Sequence, residues 1–475
     1  MTAPGVAVVD MGINMAGTCE IVVEDSSAAS PGDVMLVRHA EGLTVDGRLD
    51  QNWLVGVAEI SSYTFRGDGS REVYSEVFTY FGFRFIEVTG FPGGVAPPAD
   101  AITCWFTHTD LEQSGAIDFI PKTSTNSTSL LLDSAAAVLS ALHAAVQQSA
   151  LSNFHSHPTD CPSREKRGWT GDGGHAAEAL MLNFNMGAPY AKWLDDVDNA
   201  ACAAHHVPNI APGNFHLQAH GDCFGINDPG WESGFVDVLH WTHRYNGDEA
   251  ALALHWSAMQ GSFAYLGSFV SNATGDILTV TGEPGTNLGD WCAPSGNVSV
   301  PTSGKHLSNI ISGYFWIRQL ETMAATARLM GNNTAEVDFI ARAGIARTIF
   351  GKLYFDSERG VFRDPDWVPE WGAQVMQTEQ ALAITLCLDL QDGYGYDAAR
   401  MPVPIVAPAD VKRAAAALAA NVSAGLNAGM VGIKHVFSAL AATGHGDVAL
   451  TALTSTSYPS YGYMLANGEG TLWEH

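Results

Sequence analysis

Pro158-Thr159-Asp160-Cys161-Pro162-Ser163-Arg164-Glu165-Lys166-Arg167-Gly168-Trp169-Thr170-Gly171-Asp172 places three carboxylates, three cations, a tryptophan and two glycines within fifteen residues. Cleaving a glycosidic bond takes a carboxylic acid that protonates the leaving oxygen and a carboxylate that activates water or attacks the sugar. The acid has to keep its proton near neutral pH, which an apolar wall or neighbouring negative charge promotes. Glu165 stands four residues before Trp169, with Asp160 and Asp172 on either side in sequence. Trp169 is placed to wall off the carboxyl, and the two aspartates to supply like charge and accept from ring hydroxyls. Gly168 and Gly171 let the backbone turn tightly around the indole. A solvated charged turn explains the charges alone; it leaves the Cys, Pro, Trp and Gly positions unexplained.

Outward from this stretch the texture of the chain changes once. Residues 1 to about 120 carry short β-branched runs bounded by Gly, Pro and Ser: Val6–Val9, Cys19–Val23 and Asp33–Val37. Arg71–Thr89 holds two more, divided at Gly82. Strands at this spacing predict an antiparallel sandwich. After Pro121 the pattern is helical. Ile317, Leu320, Met323, Ala324, Ala327 and Met330 form a stripe at 3.6 spacing over Tyr314–Met330. Gly331 supplies a stop, and Asn333 with Glu336 a capping box for a second helix over Ala335–Lys352. Glu379–Leu390 and Asp410–Leu426 continue the series, so the chain predicts stacked antiparallel helices.

The fifteen-residue stretch closely resembles the signature of the bacterial-type α-L-rhamnosidases of glycoside hydrolase family 78, six-hairpin enzymes that read Asp-Cys-Pro-x-Arg, acidic residues, then Gly-Trp-x-Gly-Asp. Asp10–Gly17 and Phe78–Arg84 resemble signatures of the concanavalin-like domain that precedes their catalytic domain. Val207-Pro208-Asn209, Pro229–Gly234, Leu288–Trp291, Gln377–Leu382, Tyr458–Met464 and Gly470–Glu474 resemble further family segments in family order. The resemblance implies an N-terminal concanavalin-like antiparallel β-sandwich followed by an (α/α)6 toroid, divided as 1–120 for the sandwich, 121–150 for a linker with helix, and 151–475 for a C-terminally incomplete catalytic domain. It also implies an inverting mechanism with Glu165 as general acid and Glu474 as general base. Asp160, Arg164, Trp169, Asp172, Trp231 and Trp291 would bind the sugar, and no cofactor is called for.

Three positions depart from the family pattern. Ser233, beside Glu232, stands where an aspartate is commoner; Glu469 stands where alanine is usual; and Ala428–Lys434 brings a lysine toward the expected pocket. The usual N-terminal and C-terminal accessory sandwiches are not represented. Glu469 and Glu232 are therefore alternatives to Glu474 as base.

Composition narrows the partners. Twenty-three Lys+Arg against 50 Asp+Glu give a net charge of −27, and no basic stripe occurs, so nucleic acid and anionic membrane surfaces are excluded as partners. No apolar run approaches the ~18 residues of a membrane helix, and Met1–Gly5 lacks the charged start of a signal peptide. Sequons occur at Asn126, Asn272, Asn297, Asn332 and Asn421, which leaves the compartment open. Seven scattered cysteines make no disulfide framework and no C-x-x-C pair. Ser163-x-x-Lys166 lacks the companion motifs of β-lactam-recognising enzymes. His155 and His157 beside Asp160 and Cys161 lack the spacing of a zinc site, and Cys161 lacks a base partner.

The expected partner is thus a rhamnose-containing carbohydrate or glycoside, with terminal α-L-rhamnose released from it. Two alternatives stand beside this reading: a catalytically impaired or truncated rhamnose-binding fragment, and another six-hairpin glycosidase acting on a different terminal sugar. An acidic sugar would call for several pocket cations, and Lys434 is one candidate. Oligomeric state is not legible.

Overall fold

The computed structural model describes residues 5–119, 127–201, 207–213, 228–270, 277–279, 288–294, 308–366, 375–388, 404–468 and 470–473, with backbone alone for 127–134. Glu469, Glu474 and the sequons at Asn126, Asn272 and Asn297 lie outside the described residues.

The N-terminal domain is built from β1 (Val6–Val23), β2 (Val34–Ala40), β3 (Gly42–Leu43), β4 (Leu49–Asp50), β5 (Ile60–Thr64), β6 (Glu72–Ser75), β7 (Phe81–Thr89) and β8 (Ile102–Phe106). Six of these form an antiparallel sheet of order β5-β2-β7-β1-β6, with β8 also on β1, while β3 pairs with β4. The runs Val6–Val9 and Cys19–Val23 are parts of one 18-residue strand, irregular between Asp10 and Met15. Its first part pairs with β7, its last with β6 and β8. Cys19 and Cys104 face each other across β1 and β8 and form a disulfide, a pairing that cysteine spacing did not reveal. Met15, Ile21, Met35, Val37, Phe83 and Ile86 belong to the domain's core.

Gly82 does not divide the Arg71–Thr89 segment. The break falls at 76–80, and Gly82 lies within β7. A side chain there would meet Pro162 at 2.9 Å, so the glycine marks a close approach between the β domain and the signature loop.

The rest of the chain is an (α/α)6 toroid of alternating outer and inner helices. The outer helices are Ser127–Ser152, Gly187–Asn199, Glu249–Gly267, Asn333–Tyr354, Pro408–Ser423 and Gly446–Thr454; the inner ones are Thr170–Asn183, Gly234–Asn246, Asn309–Leu329, Gln377–Leu388, Ile433–Ala442 and Tyr461–Asn467. Ser127–Ser152, from the segment read as a linker, packs on the last inner helix and completes the ring. The predicted stripe on Tyr314–Met330 understates the burial: Asn309–Leu329 is buried on every side from Asn309 to Ala327, as an inner helix must be. The cap of the next helix is Asn332 and not Asn333; its side chain accepts the Ala335 N–H at 3.1 Å.

This alternation fixes where the site forms. All inner helices start at the same end of the ring, so the segments before them meet at one mouth. Those segments are 158–169, 228–233, 288–294, 375–376, 428–432 and 455–460. Helix N-termini converging on one mouth favour negative charge there.

Candidate active site

The signature loop closes on itself before it enters its helix. Asp160 N–H donates to the Arg167 carbonyl at 3.0 Å, and Arg167 N–H returns a 2.7 Å bond to Asp160 Oδ1. Cys161 Sγ donates to Asp160 Oδ2 at 3.1 Å and accepts the Glu165 N–H at 3.2 Å. Burial, together with the charge of Asp160, pushes the Cys161 thiol up to about 12. It therefore stays protonated and serves as a small internal donor. Asp160 shapes the loop that presents Glu165.

Glu165 is held from two sides. Trp169 Nε1 donates to its Oε2 at 3.2 Å, and Arg164 Nη2 lies 3.6 Å from its Oε1. About a third of its side chain stays exposed. Trp169 thus does more than wall off the carboxyl: it orients it. Lys166, the next residue, takes a left-handed backbone (φ 58°) and runs to the β domain, donating to the Tyr80 carbonyl at 2.6 Å. Its Nζ lies 4.8 Å from the Tyr80 ring centroid and 5.0 Å from that of Phe81.

Beyond Trp169 the loop is stitched to Val207–Ala211. Trp169 bridges to Ile210, and Thr170 donates from its N–H and its hydroxyl to the Asn209 carbonyl at 2.7 and 3.1 Å. Gly168 lies so close to the Ala211 carbonyl that a Cβ would sit 1.9 Å from its oxygen. Asp172 sits half-buried in the first turn of Thr170–Asn183.

The two tryptophans of the other loops differ. Trp231 is 2% exposed, pressed against Gly171 and edge-on to His175 at 5.9 Å between ring centroids. Its surroundings are core, so little of its face is open to a sugar. Trp291 is half-buried at the edge of the same core, and its carbonyl accepts the Met430 N–H at 2.9 Å.

Buried carboxylates tie these loops together, a role the sequence did not disclose. Asp228 accepts the Gly230 N–H at 2.8 Å as a helix cap, and its other oxygen accepts the Leu288 and Gly289 N–H groups at 2.7 and 2.8 Å. Asp290 accepts from Gly429, Val431 and Gly432 at 2.8, 3.2 and 3.0 Å, and from the Thr378 hydroxyl. The resembling segments around Trp231, Trp291, Gln377 and Ala428 are thereby wired to one another. The aspartates preceding Pro229 and Trp291 were visible in the sequence; their long-range partners, 60 or more residues distant, were not.

The remaining candidates fall elsewhere. Glu232, in the mouth segment 228–233, is 1% exposed and accepts from Ser262 on an outer helix at 3.1 Å. Lys434 lies 3.5 Å from Glu178 and 5.4 Å from the Trp241 ring, between inner helices. His155 stacks on Tyr80 at 3.9 Å and shares a 2.8 Å hydrogen bond with the Thr107 carbonyl, as a domain-junction residue. Asp160 and Arg164 line a cleft of about 380 Å³ at that junction together with Trp473.

The chain matches the sequence profile of the bacterial alpha-L-rhamnosidase 6 hairpin glycosidase domain over residues 128–475, and that of the bacterial alpha-L-rhamnosidase concanavalin-like domain over residues 1–108. It is 29% identical to an alpha-L-rhamnosidase of Streptomyces avermitilis over 99% of this chain and 39% of that protein. A second, from Formosa agariphila, is 24% identical over 97% of this chain and 44% of the relative. The solved alpha-L-rhamnosidase of Dictyoglumus thermophilum superposes with a TM-score of 0.79 at 25% identity, covering all of this chain and 47% of that one. The Streptomyces avermitilis enzyme complexed with L-rhamnose gives 0.77 at 27%, covering all of this chain and 39% of the other. The chain spans about two-fifths of the length of these curated relatives.

Proposed function

The chain belongs to the bacterial α-L-rhamnosidases, and we propose that it carries the catalytic centre of an inverting glycoside hydrolase that releases terminal α-L-rhamnose. Glu165 protonates the glycosidic oxygen as the bond to the anomeric carbon breaks. A carboxylate on the opposite face takes a proton from the attacking water, which adds to that carbon with inversion; the family pattern assigns this role to Glu474. Inversion requires the two carboxyl groups to stand roughly 6.5–9.5 Å apart, leaving room for the water. Trp473, the residue before Glu474 in sequence, lines the same cleft as Asp160 and Arg164.

The observation that carries this reading is the mounting of Glu165 between Trp169 and Arg164, at the mouth where the inner helices begin. A side chain used for proton transfer has to be held in one orientation yet stay reachable. Asp160, Arg164 and Asp172 supply hydroxyl partners, and Trp169 and Trp291 supply apolar faces suited to a 6-deoxy sugar. Trp231 contributes from beneath, by supporting the Gly171 turn.

The test is hydrolysis of a chromogenic α-L-rhamnoside, run beside the matching glucoside and glucuronide, with the product anomer followed by NMR. Release from the rhamnoside alone, giving the β-anomer first, is the expected result. Cleavage of another glycoside in preference replaces the substrate; initial α-anomer removes the inverting mechanism; binding of rhamnose without turnover supports the fragment reading.

A further inference from the structure

Lys166 extends its side chain from a backbone that lysine seldom adopts, with φ 58°. Backbone of this kind persists only where the surroundings over-determine it. The surroundings are the start of β7 and the residue before it. The Tyr80 carbonyl takes the Lys166 ammonium, and two residues on the Gly82 N–H donates to Glu59 Oε1 at 3.3 Å. Gly82 also lies against the signature loop: a side chain there would come within 2.9 Å of Pro162 and 3.1 Å of Ser163. Residues 80–82 thus touch the loop on both sides of Arg164 and Glu165, at Ser163 before them and at Lys166 after them. Glu59, just ahead of β5, stands behind this contact at 1% exposure. Its Oε2 and the Ser163 hydroxyl are buried with no hydrogen-bond partner in the protein. Polar atoms left in that state are costly, and each calls for an explanation.

We propose that Glu59 is a positioning residue for the reaction: from the β domain, through Gly82 and Lys166, it fixes the stance of the loop that presents Glu165. This role rests on Glu165 being the acid. The charged and titratable neighbours of Glu59 set how it acts. Lys166 faces it from the signature loop and Glu41 from the chain after β2. His39, on β2, donates its backbone N–H to the Glu59 carbonyl at 3.0 Å, and Glu76 stands 3.7 Å from the His39 ring. Burial lowers His39 to about 3, which keeps it neutral, and raises Glu76. Burial also raises the Glu59 carboxyl to about 8, opposed by the attraction of Lys166 and assisted by the repulsion of Glu41. Below that pH Glu59 is a neutral acid, and Lys166 keeps its bond to the Tyr80 carbonyl. Above it the proton leaves to solvent, and a carboxylate stands behind Gly82. A buried carboxylate draws an ammonium strongly. Lys166 is then pulled from Tyr80 toward Glu59, and Glu165, its neighbour in the chain, shifts with it.

The experiment compares the parent chain with Glu59→Leu, Glu59→Gln and Glu165→Gln on an alkyl and a 4-nitrophenyl α-L-rhamnoside, measuring kcat and KM from about pH 5 to about pH 9. Glu59→Leu should lower kcat on the alkyl rhamnoside on the order of tenfold with KM little changed, since small misplacements of a reacting group slow the reaction steeply. The loss should shrink on the nitrophenyl compound, which needs less protonation, as it does for Glu165→Gln. A misfolded fraction would instead cut both substrates equally. Glu59→Gln, shaped like the protonated acid, should restore most of kcat near neutral pH. On the alkyl rhamnoside, the ratio of parent to Glu59→Gln turnover cancels the ionisation of Glu165, which both share. That ratio should stay level up to neutral pH and fall several-fold as pH rises through about 8. Should Glu59→Leu not fold, the ratio alone decides. A ratio level across the whole range overturns the proposal and leaves Glu165 as the acid. So does a Glu59→Leu protein with no loss, or with the same loss on both substrates. If Glu165→Gln itself loses equally on both, or neither rhamnoside is cleaved, the acid reading fails and the role of Glu59 with it.

Discussion

Lys166 Nζ and the Tyr80 carbonyl, 2.6 Å apart, join the loop that carries Glu165 to the β domain. The contact is buried beside Glu59, which is 1% exposed and accepts the Gly82 N–H at 3.3 Å. Burial pushes the Glu59 carboxyl upward against the pull of Lys166, and burial lowers Lys166 in turn. The β domain therefore grips the residue adjacent to the proposed acid. Lys166→Met should lower stability by roughly 1–3 kcal/mol, because it leaves a buried carbonyl without its donor. It should also lower kcat more than rhamnose affinity, with Lys166→Arg recovering part of both. Unchanged turnover in a folded Lys166→Met protein would show that the grip is architectural only.

Removing the transferable proton tests Glu165 itself. Glu165→Gln should reduce kcat on an alkyl or glycosyl rhamnoside by about 10²–10⁴-fold while rhamnose still binds. The loss should shrink on aryl rhamnosides, whose leaving groups need less protonation. A loss independent of leaving-group pKa would assign the acid elsewhere.

Trp231 and Trp291 should part company under alanine substitution. Trp231→Ala deletes a core ring and should cost ~3–5 kcal/mol. Trp291→Ala, at a half-buried position, should cost less and act mainly on rhamnose affinity. Chemical denaturation alongside titration with rhamnose separates the two outcomes; equal melting temperatures for the pair would contradict their difference in burial.

Asp290→Asn should loosen the mouth from a distance. The carboxylate collects three N–H groups of 429–432 and the Thr378 hydroxyl. An amide in its place offers one acceptor oxygen and an unwanted donor. We expect a loss of about 1–3 kcal/mol and weaker rhamnose binding through Trp291, read as a raised KM with a smaller change in kcat.

Glu379 gives the pH prediction. It is buried among helix ends, accepting from the Ser308 hydroxyl at 2.6 Å, and burial pushes its carboxyl up to about 8. The folded state thus holds a proton that the unfolded chain releases near pH 4–5. Its contribution is complete below that range and is lost as pH rises toward 8. Glu379→Gln, which does not ionise, should gain stability relative to the parent between pH 5 and 8, by a few kcal/mol in order of magnitude, and then level off. A stability difference flat across that window would show that Glu379 is already ionised in the folded protein.

Much of the architecture was legible because local pattern and global fold agree. The helical hairpin around Gly331 and the signature turn at Gly168 are written in adjacent residues. What escaped was long-range. Gly82 reads as a strand break until Pro162 is seen against it. Asn332 outcompetes Asn333 as the cap by a single residue, which periodicity does not resolve. Trp231 and Trp291 carry the same loop signal, yet Gly171 presses only on the first. Trp53 and Leu43 belong to no motif; only the meeting of two domains puts them in one cleft with Arg164.

The bond from Asn14 Nδ2 to the Thr471 hydroxyl spans 457 residues. A ribosome adding roughly 5–20 residues per second needs about 20–90 s to supply that partner after Asn14 has emerged. During this interval Asn14 has its Glu41 partner within reach, while its Thr471 partner is still to be made. The cleft that Asn14 and Trp53 line with Arg164 and Trp473 is then among the last features of the molecule to be complete, since its walls come from two distant stretches of the polypeptide.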